Sequence, residues 1–555
     1  MTRRIRWQIL IAVVSSLLVL ILMTAVVLTQ TSVSRPAAGG IYRELIVGAP
    51  QQLNPLVANT SLDQPSRDVQ QLIFDGLLRL DRDGLPLPAL AESFVGDDVG
   101  LVYTVTLRAN VMWHDGAPLT ADDALFTIRA IKDPAFAGDP ALATVWRRIT
   151  PEPIDDRSFR LVLDAPYAPL PRYATFPILP AHLLASLTPT ERAVAPFNRR
   201  PVGTGPYRLD ELSGERAQLS ANSSYYRGRP LIDSVELLFV QSSQQAVSEL
   251  ARGNADGLAL PAEQTTVNPP TGVIRRRAAL DGYTTLTFNL RGGPLASVAL
   301  RQALARGLDR REVARAALGD GAALLDTPLL PGTWANSGDP IWYPFDATRA
   351  ASDLDALGYA AAGGGTRFKN GAALTFTLIT DQTADHLAAA EAVAKQWRSI
   401  GVVITVESVE PNELMARLAK HDFAIAIHSW QRLGPDPDQF ALWDSSQGAL
   451  GLNYAGLADD DIDNYLQTGL TDPTFAGRAE SYAAFAQRWV DLAPAIILYQ
   501  PTIVYDTNSA LTGVFGSAAG AQDSAPLLFG REWRLSDIGR WSIRSAREIE
   551  DTLRR

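Results

Sequence analysis

The chain has 555 residues, too many for one compact core, so two or three lobes are expected. Apolar residues make up 46% and charged residues 20%, the composition of a globular protein rather than a disordered one. Lys plus Arg is 50 against 60 Asp plus Glu, a net charge of −10, which lacks the basic excess of a nucleic-acid binder. The absence of cysteine excludes disulfides, thiolate metal sites, cysteine nucleophiles and a lipidated cysteine tether. The five histidines, His114, His182, His386, His421 and His428, show no HxxxH or HExxH spacing, so no metal site and no cofactor are expected.

In chain order, Arg3, Arg4 and Arg6 precede an apolar run from Ile9 to Leu28. Twenty helical residues cover about 30 Å, the depth of a bilayer core. The expectation is a cytoplasmic basic segment at 1–8 and one transmembrane helix at 9–28, a single-pass anchor in the cell membrane. The remainder then faces the extracellular or periplasmic side. A cleaved signal peptide is the competing reading and gives the same compartment. Gln30–Gly40 reads as a linker, bounded at 29–39. No second run of this length follows, so the chain is not itself a channel.

Ile41 to Val47 reads as a strand, Val69 to Leu80 as helix-like, and Val102 to Leu107 as a strand. Thr120 to Lys132 is a helix with Thr120 as N-cap, Asp123 three residues on, and Pro134 limiting its end. The prolines of Pro151 to Pro180 indicate strand and turn. Leu374 to Ile379, Ala384 to Ile400 (N-cap Thr383), Val402 to Val406, Asn412 to Lys420 and Phe423 to His428 then alternate as β-α-β-α-β. That order argues for an α/β lobe with largely parallel strands, where ligands sit at strand carboxyl ends or between lobes.

Several segments match one pattern in order. They are Leu53-Asn54-Pro55; Phe74 to Leu77 with Leu87 to Ser93; Tyr103 to Arg108 running into Val111 to Gly116 and Pro118 to Asp123; Pro201 to Tyr207 with Tyr225 to Gly228; Leu286 to Asn289 with Val298 to Asp309; Asp436-Pro437-Asp438 with Phe440 and Asn453-Tyr454; and Pro494 to Tyr499. Together they closely resemble the solute-binding proteins of ABC importers, family 5, the oligopeptide, dipeptide and nickel type. The likeness runs from about Gly40 to Trp533.

The resemblance implies an α/β, two-lobe fold of the type II periplasmic-binding class (cluster C, with an inserted subdomain), spanning 40–535 after the transmembrane helix. Lobe I would comprise about 40–57, 198–285 and 486–535, the inserted subdomain about 58–197, and lobe II about 286–485, leaving 536–555 as a tail. It implies a non-enzymatic, monomeric binding domain that captures a peptide or small polar organic solute. Its partners would be a homodimeric or heterodimeric permease with cytoplasmic ATPase subunits. A sensor or chaperone of the same fold without transport is the alternative. An extracellular hydrolase is a weaker one, since no GxSxG elbow marks a nucleophile.

Trp113-His114-Asp115-Gly116 and Gly203-Thr204-Gly205 read as fold signatures. The latter lacks the lysine of a phosphate loop, and its glycines suit a tight reversal where a side chain would clash. The ligand-site candidates are Asn54, Tyr42, Trp334, Trp430, Arg432, Leu433, Asp436, Trp443 and Tyr454. Trp430 suits stacking on a ligand and Arg432 an anion. In peptide-binding relatives an aspartate three residues after the tryptophan pairs with the ligand's α-ammonium, and here that position is Leu433. Arg301 is expected to leave its helix face for a lobe-interface salt bridge.

Overall fold

Strands at the centre of a sheet covered on both faces are buried along almost their whole length, and Gly282–Phe288 and Ala495–Asn508 are such segments. In the computed structural model, which describes residues 3–57, 63–81, 83–264, 268–335, 343–363, 365–516 and 526–549, both are strands. Every residue of the first is buried, and all but Pro501 and Asn508 of the second.

One large sheet carries both lobes. Its longer strands are β1 (Ile41–Val47), β2 (Tyr207–Leu212), β3 (Arg216–Ala221), β4 (Ser234–Val240), β5 (Gly257–Pro261), β6 (Val273–Leu280), β7 (Gly282–Phe288), β8 (Thr375–Thr380), β9 (Val403–Ser408), β10 (Ile425–Gln431) and β11 (Ala495–Asn508). The main path runs β9-β8-β10-β7-β11-β5-β1-β4-β3-β2, with β6 also on β11. In the second lobe β8 is parallel to β9 and β10, the arrangement that the alternating strands and helices lead one to expect.

The lobes meet where two strands cross. The Ala495–Tyr499 part of β11 pairs with β7, and its Thr502–Asn508 part pairs with β6 and β5. Between these halves lie Gln500 and Pro501 on one strand, and Asp281 between β6 and β7 on the other. Proline donates no ladder bond, which suits the point where a strand changes partners. Gln500 Nε2 donates to the Leu280 carbonyl at 2.8 Å and ties the two crossings together.

The inserted subdomain is a four-stranded antiparallel sheet of Ala91–Gly96, Val102–Leu107, Ser158–Leu163 and Ile149–Pro153. Its main helix begins after Thr120, whose N–H donates to Asp123 Oδ2 at 2.9 Å, the expected capping contact. His114 joins this subdomain to the first lobe. Its N–H donates to the Gly203 carbonyl at 2.9 Å, Nε2 meets the Gly205 carbonyl at 3.0 Å, and Nδ1 receives the Gly203 N–H at 3.3 Å. Burial lowers the His114 pKa, favouring the neutral ring that can both donate and accept. A Cβ on Gly203 would fall 2.0 Å from the Ile73 carbonyl oxygen, so close backbone approach requires glycine there.

Three expectations change. The linker and tail segments pair with each other, Ser32–Ala37 antiparallel to Arg544–Ile549, and Trp541 is fully buried against Tyr42. Arg301 makes no salt bridge among the described residues. It is buried and donates to the carbonyls of Leu295, Ala296, Leu492 and Ala493, capping the end of helix Phe475–Leu492. The transmembrane anchor at 9–28 is the third. A helix, α1, forms over Arg3–Thr31, but among the described residues no helix is long and apolar enough to cross a membrane. The single-pass membrane assignment is therefore withdrawn.

Candidate functional site: a charged cleft at the lobe crossing

The carboxyl ends of β8 and β10 point toward the crossing, with Leu378 to Thr380 of β8 buried and Ser429 to Gln431 of β10 increasingly exposed. Asp381 follows β8 and opens helix α2 (Ala384–Ser399), and Ser429 to Gln431 end β10. Asp381 Oδ1 lies 2.9 Å from His386 Nδ1, His386 Nε2 lies 2.7 Å from Ser429 Oγ, and Ser429 Oγ lies 2.7 Å from Thr284 Oγ1 on β7. This chain has the order of a hydrolase triad. The serine hydroxyl, however, is engaged on both sides, which makes the chain a polar connection from hinge strand to helix. Asp385, in the first turn of α2, receives the Tyr499 hydroxyl at 3.0 Å.

The first lobe supplies the opposite wall. Helix Gln64–Ile73 and the short helix Arg531–Leu535 pack together. Buried Arg534 donates to Glu44 at 2.6 Å and to Asp68 at 2.6 Å. Glu532 receives Arg67 at 3.1 Å and, from across the cleft, Arg432 at 3.5 Å. The Glu263 carboxylate is within electrostatic reach of Arg531 and of Asp385, and burial raises its pKa.

Asp281 stands between these walls at the crossing. Its carbonyl accepts the Leu433 N–H at 2.9 Å, and its Oδ2 accepts the Gly434 N–H at 3.0 Å. Burial pushes its carboxyl from 3.8 up to about 7. The Gly434 N–H pulls the other way, Glu532 adds to the rise, and Arg432 and Arg172 oppose it. Gly434, at φ +79°, lies under the subdomain's Arg172, whose Nη2 would be 2.4 Å from a Cβ there. The subdomain also reaches the second lobe through backbone. Ala168 N–H donates to the Leu470 carbonyl at 2.8 Å, and Trp334 N–H to the Asp83 carbonyl at 3.2 Å.

The residues singled out from sequence divide into three groups. Trp430 stacks on Tyr454 with centroids 5.4 Å apart, and His428 stands edge-on to both. Arg432 and Leu433 follow at the crossing, with Arg432 spent on Glu532. Trp334 and Asp436 lie at the subdomain contact, where Arg478 bonds Asp436 at 2.6 Å and sits 5.0 Å from the Trp334 ring. Tyr42, Asn54 and Trp443 are buried away from the cleft. Tyr42 bonds Glu44 and Tyr505, Asn54 bonds Asn198, and Trp443 packs edge-on to Trp489. Asp281, Asp381, His386, Ser429, Glu263 and Arg531 were not foreseen. For Asp381 and Ser429 the signal was present, since both stand at the carboxyl ends of recognised strands.

Residues 86–450, well over half of the chain, match the bacterial extracellular solute-binding proteins, family 5 (middle). The chain belongs to this family. It is 26% identical over 494 residues to the oligopeptide-binding protein AppA of Bacillus subtilis, covering 85% of this chain and 88% of that one. It is 30% identical over 455 residues to protein XP55 of Streptomyces lividans, covering 79% of each. The structure of Bacillus subtilis AppA in complex with a nonapeptide superposes with a TM-score of 0.65 at 24% identity, covering 92% of this chain and 99% of that one. The chain is thus an extracytoplasmic solute-binding component of an ABC importer with the two-lobe fold, and as a family 5 member it is a binding protein rather than an enzyme.

Proposed function

We propose that this protein captures a short peptide in the cleft between its lobes and presents it to a permease of two membrane subunits driven by cytoplasmic ATPases. The observation that carries the reading is the cleft itself, where charged groups from both lobes converge on two strand crossings able to act as a hinge. Hydrogen-bonding groups on opposed walls read a polar solute best when the lobes shut out water. The oligopeptide-binding name of the Bacillus subtilis relative supports a peptide among polar solutes. Trp430, with Tyr454 behind it, offers a face for stacking at the cleft, and the binding domain acts as a monomer.

Leu433 gives this reading its specific test. It is half-buried against the second-lobe core and offers no charge to an α-ammonium. In calorimetry against two- to five-residue peptides, affinities in the micromolar range or tighter are expected. Acetylating the peptide N-terminus is expected to change affinity less than about tenfold, roughly 1.4 kcal/mol. Absence of binding by every peptide, with tight binding of another solute, contradicts the peptide reading. A larger loss on acetylation contradicts the role given to Leu433.

A further inference from the structure

The cations of the first-lobe wall are not equivalent. Arg534 is held between Glu44 and Asp68, and Arg67 and Arg432 converge on Glu532. Arg531, at the head of the same short helix, has no side-chain hydrogen bond and no ion pair among the described residues. Its side chain is half-buried, and burial lowers its pKa. Asp68 and Glu263 support its charge, while Arg534 and Arg67 oppose it. Asp68 is already committed to Arg534 at 2.6 Å, and no Arg531–Glu263 ion pair forms. A guanidinium that has given up water without gaining a partner carries an unmet desolvation cost. Its planar fork of donors matches a carboxylate in two parallel hydrogen bonds. The second-lobe carboxylates Asp385 and Asp381 are engaged with Tyr499 and His386, so neither supplies the arginine's counter-charge.

We propose that Arg531 is the anion anchor of the cleft and that it receives the free C-terminal carboxylate of the bound peptide. This rests on the peptide reading above. It moves the anion site from Arg432, the choice made from sequence, to a residue about a hundred positions further along the chain. The anchor sits on the first lobe, so the carboxylate docks before the second lobe closes with Trp430 and Arg432.

The test uses the full-length protein and matched peptides as free acids and as C-terminal amides, measured by calorimetry. Free acids are expected to bind wild-type protein at least tenfold more tightly than amides. Arg531→Met is expected to erase that preference, and Arg531→Lys to retain part of it. Equal binding of acid and amide by the wild type overturns the proposal while leaving peptide binding intact, and this comparison needs no variant. An acid preference that survives in a folded Arg531→Met protein, checked by thermal melting, also overturns it. Failure of both peptide forms to bind overturns the peptide reading, and this proposal falls with it.

Discussion

Arg534→Met is expected to destabilise the protein by roughly 3–5 kcal/mol, the cost of leaving buried charges without their partner. Arg534 is 2% exposed, Glu44 0% and Asp68 1%, so no water is available to replace the guanidinium. Glu44 also holds the hydroxyls of Tyr42 at 2.8 Å and Tyr505 at 3.0 Å, and removal of the cation releases that network too. These bonds join the C-terminal helix Arg531–Leu535 to β1 and to helix Gln64–Ile73, segments more than 460 residues apart in sequence. Urea denaturation of wild type and variant measures the difference. Arg534→Lys is expected to recover part of the loss, since one ammonium reaches one carboxylate better than two. A loss below about 1 kcal/mol for the methionine variant contradicts this role.

Asp281→Asn is expected to stabilise the protein, and more so as pH rises. The carboxyl titrates near 7 in the folded chain and at its ordinary 3.8 when unfolded. Between those values the folded state holds a proton that the unfolded state has lost. Wild-type stability therefore falls as pH rises through this window and levels off above about 7. Asn cannot ionise, and its side-chain carbonyl can still accept the Gly434 N–H. The gain from substitution is expected to be roughly 2–3 kcal/mol larger at pH 8 than at pH 5. Asp75 and Asp438, each raised to about 6 chiefly by burial, tilt wild type and variant alike and cancel in the difference. Denaturation at the two pH values checks this, and a gain independent of pH contradicts it.

Local pattern was enough where a feature depends on neighbours in sequence. Ile41–Val47 is a strand with the bounds read from its apolar run, and the 121–132 helix starts after its expected cap. The β-α-β-α-β order of the second lobe follows from periodicity and terminators such as Gly401. The WHDG and GTG segments are structural, as expected, though nothing in either announces that His114 bonds both Gly203 and Gly205. The cleft was far less legible because its contacts join distant segments, Arg67 and Arg432 to Glu532, and Thr284 to Ser429. Aromatic residues serve a core and a ligand face equally well, which is why Tyr42 and Trp443 looked like cleft residues and are packed in the interior. An apolar N-terminal run suggested a membrane span by length alone, whereas among the described residues no helix is long and apolar enough to provide one.

A crystal structure of the full-length protein with its tightest-binding peptide tests the central claim most directly. The account predicts the peptide enclosed between the lobes, flanked by Arg531 on one side and by the Trp430 and Arg432 segment on the other, with the strand crossing at Asp281 and Gln500 behind it. A peptide bound outside the cleft, touching neither wall, would contradict it.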